Sequence, residues 1–323
     1  MREGLWHMSS PDGAPTAVTG WRRFWIYQRE RFPLAAHGPL IACFSFCAIS
    51  YSAQLRGDTP GVGPVLVAFL SCLCSFLHLR IADEFKDFEE DSRYRPYRPV
   101  PRGLVRLREL GWLWAATGLL QFALALWLDW RLVGVLLMTW FYLALMTKEF
   151  FVRAWLKARP VTYLWTHMLI MPQVDFYATA CDWLPVGHGV PRGLLWFLVV
   201  SFFNGVTLEI GRKLRAPTDE EHGVETYTIL WGRPRAVSAW WGAMLCTALV
   251  ALLAARLVHF VLPAAIIFTL ILAVAAWRAV LFLRAPVTAN ARWFERLVGL
   301  WTITLYLTLG ALPLLAHRLG WGA

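Results

Sequence analysis

Carboxylates crowd one short stretch of the chain, residues 80–103, RIADEFKDFEEDSRYRPYRPVPRG. Six of the nine residues from Asp83 to Asp91 are acidic: Asp83, Glu84, Asp87, Glu89, Glu90 and Asp91. Asp83, Asp87 and Asp91 recur every fourth residue, and Glu84, Asp87 and Asp91 are three and then four apart. On a helix either set shares one face, with neighbouring side chains in reach of each other. Carboxylates that close repel unless something cationic sits among them. Six arginines follow, Arg93, Arg95, Arg98, Arg102, Arg106 and Arg108. Acidic groups at a helix end followed by guanidinium groups suit a divalent cation holding a phosphate. A second acidic concentration, Glu209, Asp219, Glu220, Glu221 and Glu225, stands farther along the chain.

The elements that must position these residues are membrane helices. The 323 residues are 58% hydrophobic and 16% charged, whereas a soluble domain carries about 25% charged residues. Many of the nineteen Trp, including Trp112, Trp127, Trp130, Trp183, Trp240 and Trp241, stand beside the ends of apolar runs, where interfacial aromatic belts form. The runs are continuous and close to the length of a membrane helix, which excludes the short alternating strands of a barrel. Nine spans are expected, near 38–55, 62–82, 110–129, 132–147, 161–180, 193–211, 236–255, 258–282 and 297–316. Before them, residues 1–37 form a polar, basic segment without a signal-peptide core. Its WRRFWIYQRERF reads as an amphipathic helix on the membrane surface. Residues 38–317 make one domain.

Counted by loop, 26 Lys and Arg fall on the side of the N-terminus and five on the other, together all 31. The positive-inside rule then places the N-terminus and the even-to-odd loops in the cytoplasm, and the C-terminus on the opposite side. Localisation follows as integral and multi-pass, in the cell or inner membrane if the source is bacterial. Both acidic concentrations lie on the cytoplasmic face, at the ends of spans two and six. The net charge of +10 is accounted for by this bias, so no nucleic-acid partner is implied, and nothing signals a protein partner. The six cysteines include no CxxC pair, and without a His/Cys cluster zinc is not expected. No GxGxxG, P-loop or nucleophile elbow is present.

The run DEFKDFEED followed by YRPVPRG resembles the first signature of the UbiA-type intramembrane prenyltransferases. Asp87, Asp91, Arg98, Pro99 and Gly103 fall on that signature with its spacing, while Asp83 and Glu84 occupy its Asn-Asp positions. The second signature is matched by Gly223, Thr226, Asp219 and Glu209, but Lys213 stands where a carboxylate belongs. The resemblance implies an all-α, UbiA-like bundle of nine membrane helices that binds an isoprenyl diphosphate through Mg²⁺. It implies transfer of the isoprenyl group to an acceptor, aromatic or lipid-like, within the membrane. By the same resemblance Glu84, Asp87 and Asp91 carry the catalysis. Asp83, Glu84, Asp87, Asp91, Glu209 and Asp219 are metal ligands, and Arg98, Arg102, Arg212, Lys213 and Lys148 are phosphate contacts. The family's Tyr-xxx-Lys at the Lys148 position is not kept, since Tyr142 is two residues too far away. Asp175, an ionisable residue within an apolar span, and Asn204 are the expected acceptor contacts. A terpene cyclase on the same fold, and a non-catalytic lipid-binding or transport protein, are the alternatives.

Overall fold

In hydrocarbon, backbone N–H and C=O groups must bond within their own segment, and continuous apolar runs meet that demand as helices. The computed structural model describes residues 20–320; most of the basic N-terminal segment, with its expected lack of a signal-peptide core, lies outside the described residues. Among the described residues the secondary structure is entirely helical: α1 (Trp21–Arg31), α2 (Leu34–Leu55), α3 (Val62–Lys86), α4 (Phe88–Tyr94), α5 (Leu107–Leu128), α6 (Leu132–Thr147), α7 (Arg153–Lys157), α8 (Pro160–Met168), α9 (Ile170–Trp183), α10 (Leu194–Arg212), α11 (Tyr227–Leu230), α12 (Arg233–Leu257), α13 (Val261–Arg284), α14 (Thr288–Leu309) and α15 (Ala311–Arg318).

Helices run through all nine predicted spans, but they are unequal. Seven are long and apolar enough to cross a membrane, α14 and α15 counting as one, so the chain is an integral multi-pass membrane protein. The segment at 132–147 is a 16-residue helix. The segment at 161–180 is divided at Leu169 into α8 and α9. Pro172 explains the division: it has no N–H to give the carbonyl of Met168, and its ring crowds that carbonyl.

The passes form a ring. Each packs against its neighbour in the sequence, α2 on α3, α3 on α5, α5 on α6, α6 on α9, α9 on α10, α10 on α12, α12 on α13 and α13 on α14, and α14 returns to α2. Cross-contacts of α9 with α2 and α3, and of α10 with α14, fill the interior. At the closing seam Gly310 lies so close to α2 that a Cβ there would sit 2.4 Å from the carbonyl oxygen of Cys47. The outer faces of α5, α6 and α13 carry exposed Leu119, Trp127, Phe141, Leu262 and Leu270, as a lipid-facing surface does.

A second, smaller core joins α1, the end of α3 and the start of α5 through Tyr27, Ile81, Val100, Val105 and Leu110. It anchors the loop that follows the first acidic stretch. α1 presents Trp21 and Trp25 outward and buries Tyr27.

Candidate active site

The acidic stretch is not one helix. α3 stops at Lys86, Asp87 sits at the junction with φ −97° and ψ 6°, and α4 begins at Phe88. The amides of Asp87 and Asp91 still donate to the carbonyls of Asp83 and Asp87, at 2.9 and 2.8 Å, so the four-residue spacing keeps its meaning across the break. α4 ends where Pro96 forbids the preceding residue a helical conformation.

The carboxylates of this stretch are unequally engaged. Glu84 is buried and paired with Arg31 of α1. Asp91 is buried and held by two arginines, Arg98 Nη1 at 2.5 Å and Arg95 Nε at 3.2 Å. Glu90 is bound by Lys157 and, at 3.1 Å, by Arg153; the Lys157 hydrogen bond holds its carboxyl below the usual range. Asp83 has only a loose contact with Arg80, at 3.5 Å. Asp87 has no ion pair among the described residues. Burial pushes its carboxyl up, Lys86 pulls it down, and Asp83, Asp91 and Glu90 push it up again. Asp83 and Asp87 are therefore the pair able to take a hard divalent cation, which needs one or two carboxylates and completes its shell with phosphate and water.

The second acidic region begins at the end of α10. Glu209 and Lys213, four apart on one face, form an ion pair of 2.6 Å, and that carboxylate holds the Lys213 ammonium above the usual lysine range. The ammonium also lies 5.8 Å from the centre of the Tyr227 ring. In the loop beyond, Asp219 accepts a 2.7 Å hydrogen bond from Thr288. Glu220 accepts hydrogen bonds from Thr226 and Thr228, and Thr226 also caps α11 through the amide of Ile229.

The loops after α4 and α10 meet. Tyr97 Oη donates to Glu221 at 3.0 Å, and the Tyr94 ring packs on Gly223, where a Cβ would come within 2.4 Å of it. Gly223 has φ +76°, a conformation that costs glycine little and other residues more. The two acidic regions, more than 120 residues apart, are thus held side by side.

The remaining predicted residues divide. Arg98 serves Asp91, and Arg102 ties the loop to Glu30 of α1 at 2.8 Å. Arg212 is exposed and has no ion-pair partner among the described residues. Lys148 is exposed at the end of α6. Asn204 of α10 accepts from Thr302 at 3.2 Å while its amide nitrogen stays unpartnered. Asp175 is fully buried in α9 and accepts a 2.6 Å hydrogen bond from Tyr306 of α14. It lies some 15 residues past the start of α8, about 20 Å along the pass, and is not brought together with the acidic loops.

Four residues at this end are not singled out by the sequence. Lys86 donates to Tyr163 Oη at 2.9 Å and interacts electrostatically with Asp83, Asp87 and Glu209. Tyr163 passes the contact to Glu149, at 3.3 Å. Glu149, Phe150 and Phe151 all have positive φ, a strained left-handed turn that buries Glu149 and leaves Lys148 outside. Arg80, with its Nε buried and unpartnered, adds a guanidinium beside Asp83. Lys86 and Arg80 had a signal, being cations inside the acidic stretch, but charge bias accounts for them equally well. Tyr163 and Glu149 had none, because only the fold brings them there.

Comparison with known proteins adds the lineage. Residues 42–303 match the model of the UbiA prenyltransferase family. No curated protein matches the sequence significantly. Among solved structures, the apo form of a UbiA homologue from Aeropyrum pernix K1 is 14% identical, with a TM-score of 0.63 over 86% of this chain and 98% of that one. A digeranylgeranylglyceryl phosphate synthase is 15% identical, with a TM-score of 0.60 over 90% of this chain and 99% of the other. A UbiA homologue from Archaeoglobus fulgidus bound to DMAPP and Mg²⁺ is 15% identical, with a TM-score of 0.52 over 88% and 98%. At these identities the likeness is one of fold.

Proposed function

The chain belongs to the UbiA prenyltransferase family, and from that premise we propose that it transfers an isoprenyl group from its diphosphate to an aromatic or lipid-like acceptor inside the membrane. One observation carries this reading: the loops after α4 and α10 close on each other through Tyr94, Tyr97, Glu221 and Gly223, gathering carboxylates and cations at one end of an apolar ring. The solved relative that holds DMAPP with Mg²⁺ supports the choice of ligand and ion.

The donor set fits Mg²⁺. Asp83 and Asp87 would hold it, with Asp91 fixing Arg95 and Arg98 behind them, and the ion would supply charge neutralisation to the diphosphate. Arg80, Lys86, Arg212 and Lys213 contact the phosphate oxygens. As the allylic C–O bond breaks, its electron pair leaves with the diphosphate, and preorganised cations favour that departure. The isoprenoid tail runs down into the apolar bundle, where Asn204, about 8 Å along α10 from Glu209, has donor capacity for the acceptor. Asp175 is the deeper acceptor contact. Glu84, Glu209 and Asp219 shape the site through the partners already described. The charge bias of the loops supports an acidic face turned to the cytoplasm, with the N-terminus on that side and the C-terminus opposite.

The test is to incubate purified protein with Mg²⁺ and a panel of labelled isoprenyl diphosphates, with and without membrane extract, and follow diphosphate release. Release that needs extract and is abolished by Asp87→Asn is the expected result. No release from any donor would sink the reading, and extract-independent release of a hydrocarbon would turn it into cyclisation.

A further inference from the structure

A second divalent cation at the end of α10 has nothing to bind. Glu209, the only carboxylate on the last turns of that helix, is already paired with the Lys213 ammonium at 2.6 Å. Asp219, Glu220 and Glu221 are each engaged by hydroxyl donors, from Thr288, from Thr226 and Thr228, and from Tyr97. Among the described residues no group of three or more His, Cys, Asp and Glu is placed to hold a metal ion unaided, at either motif, so the number of carboxylates left unpaired decides between them. A divalent ion placed at Glu209 would have to displace Lys213 and then share the space with its ammonium, and like charges that close repel. Of the carboxylates sharing a helical face at the first motif, Glu84 and Asp91 are taken by arginines, which leaves Asp83 and Asp87 for an ion.

We propose that the diphosphate site takes a single divalent cation, at Asp83 and Asp87, and that Lys213, together with Lys86, contributes directly the positive charge that a second ion would bring. The inference rests on the proposed prenyl-transfer reading. Lys213 is suited to the role: its side chain is 45% exposed, so the ammonium can reach a ligand, while Glu209 and the Tyr227 ring fix its direction. Lysine binds phosphate as a compact point charge with three donors. Lys86, at the end of α3, is held by Tyr163 of α8 at 2.9 Å. One divalent ion together with Arg80, Lys86, Arg212 and Lys213, set against Asp83, Asp87 and Glu209, leaves an excess of positive charge to meet the anionic diphosphate. A second ion would overcharge the site.

The measurement is a count of bound Mn²⁺ by paramagnetic resonance, on the full chain in nanodiscs saturated with geranyl thiolodiphosphate, which does not react. One Mn²⁺ per chain is expected. Lys213→Asp, which restores a carboxylate four residues after Glu209, raises the count to two. Lys213→Ala keeps one ion and weakens the analogue at least tenfold, and Lys213→Arg keeps both the count and most of the affinity. Two ions in the unmodified protein overturn the proposal even if no variant folds. So does an undiminished affinity in Lys213→Ala. Analogue that fails to bind with or without Mn²⁺ overturns the prenyl-transfer reading itself, and this inference with it; two ions with bound analogue overturn this inference alone.

Discussion

Asp87 and Asp91 look equivalent as letters four apart, yet their surroundings give them opposite energetics. Asp91 is buried between Arg95 and Arg98, so Asp91→Asn removes a charge that two guanidinium groups need. It should destabilise the protein by about 1–3 kcal/mol and lower Tm as well as activity. Asp87 pays for its ionisation, since its carboxyl is raised by burial and by neighbouring acids. A carboxyl raised on folding favours the folded state when protonated, so its cost to stability is present at neutral pH and disappears as the pH falls through the raised value. Asp87→Asn should therefore abolish activity while raising Tm of the metal-free protein, and a fall in Tm would count against this account. Because Mg²⁺ requires the deprotonated form, its affinity should begin to weaken above the ordinary carboxylate range as the solution is acidified. Titrations of Mg²⁺ binding across pH check this.

At the scale of elements, the sequence spelled out the helices better than their interruptions. Continuous apolar runs located a helix at every predicted span, because length and hydropathy are local properties, although the last helix begins at Thr288, nine residues before the predicted start, and seven are long and apolar enough to cross a membrane. The break at Leu169 was also written locally, in Pro172, but an apolar run of the right length hid it. The docking of α1 on the acidic stretch was not legible. Arg31–Glu84, Arg23–Glu109 and Glu30–Arg102 pair residues from remote parts of the chain, and any of many charges could have been partners. The same holds for Lys86 with Tyr163 and Glu149. The contact between the α4 and α10 loops can be tested on its own. Gly223→Ala places a Cβ against Tyr94 in a backbone conformation that alanine resists. It should cost about 1–2 kcal/mol and reduce isoprenyl diphosphate affinity, whereas Gly232→Ala, also at positive φ but in open space, should cost stability with affinity unchanged. Equal loss of affinity in both variants would refute a specific role for the loop contact.

At the scale of the whole molecule, the ring encloses polar groups that have no water to turn to. Asp175 and Tyr306 join α9 to α14, Asn204 and Thr302 join α10 to α14, and Gly310 lets the last pass close on α2. These links run between early and late parts of the chain, and that order matters during synthesis. Tyr306 is made 131 residues after Asp175, a delay of roughly 7–26 s on the ribosome. Throughout that interval an acidic side chain, costing about 3 kcal/mol near the centre of a bilayer, waits in the nascent membrane without its partner. A chain ended after α13 should therefore insert but be cleared quickly by membrane proteolysis, and Asp175→Leu in that truncation should lengthen its half-life in a pulse-chase experiment. The last helix closes the ring in time as well as in space.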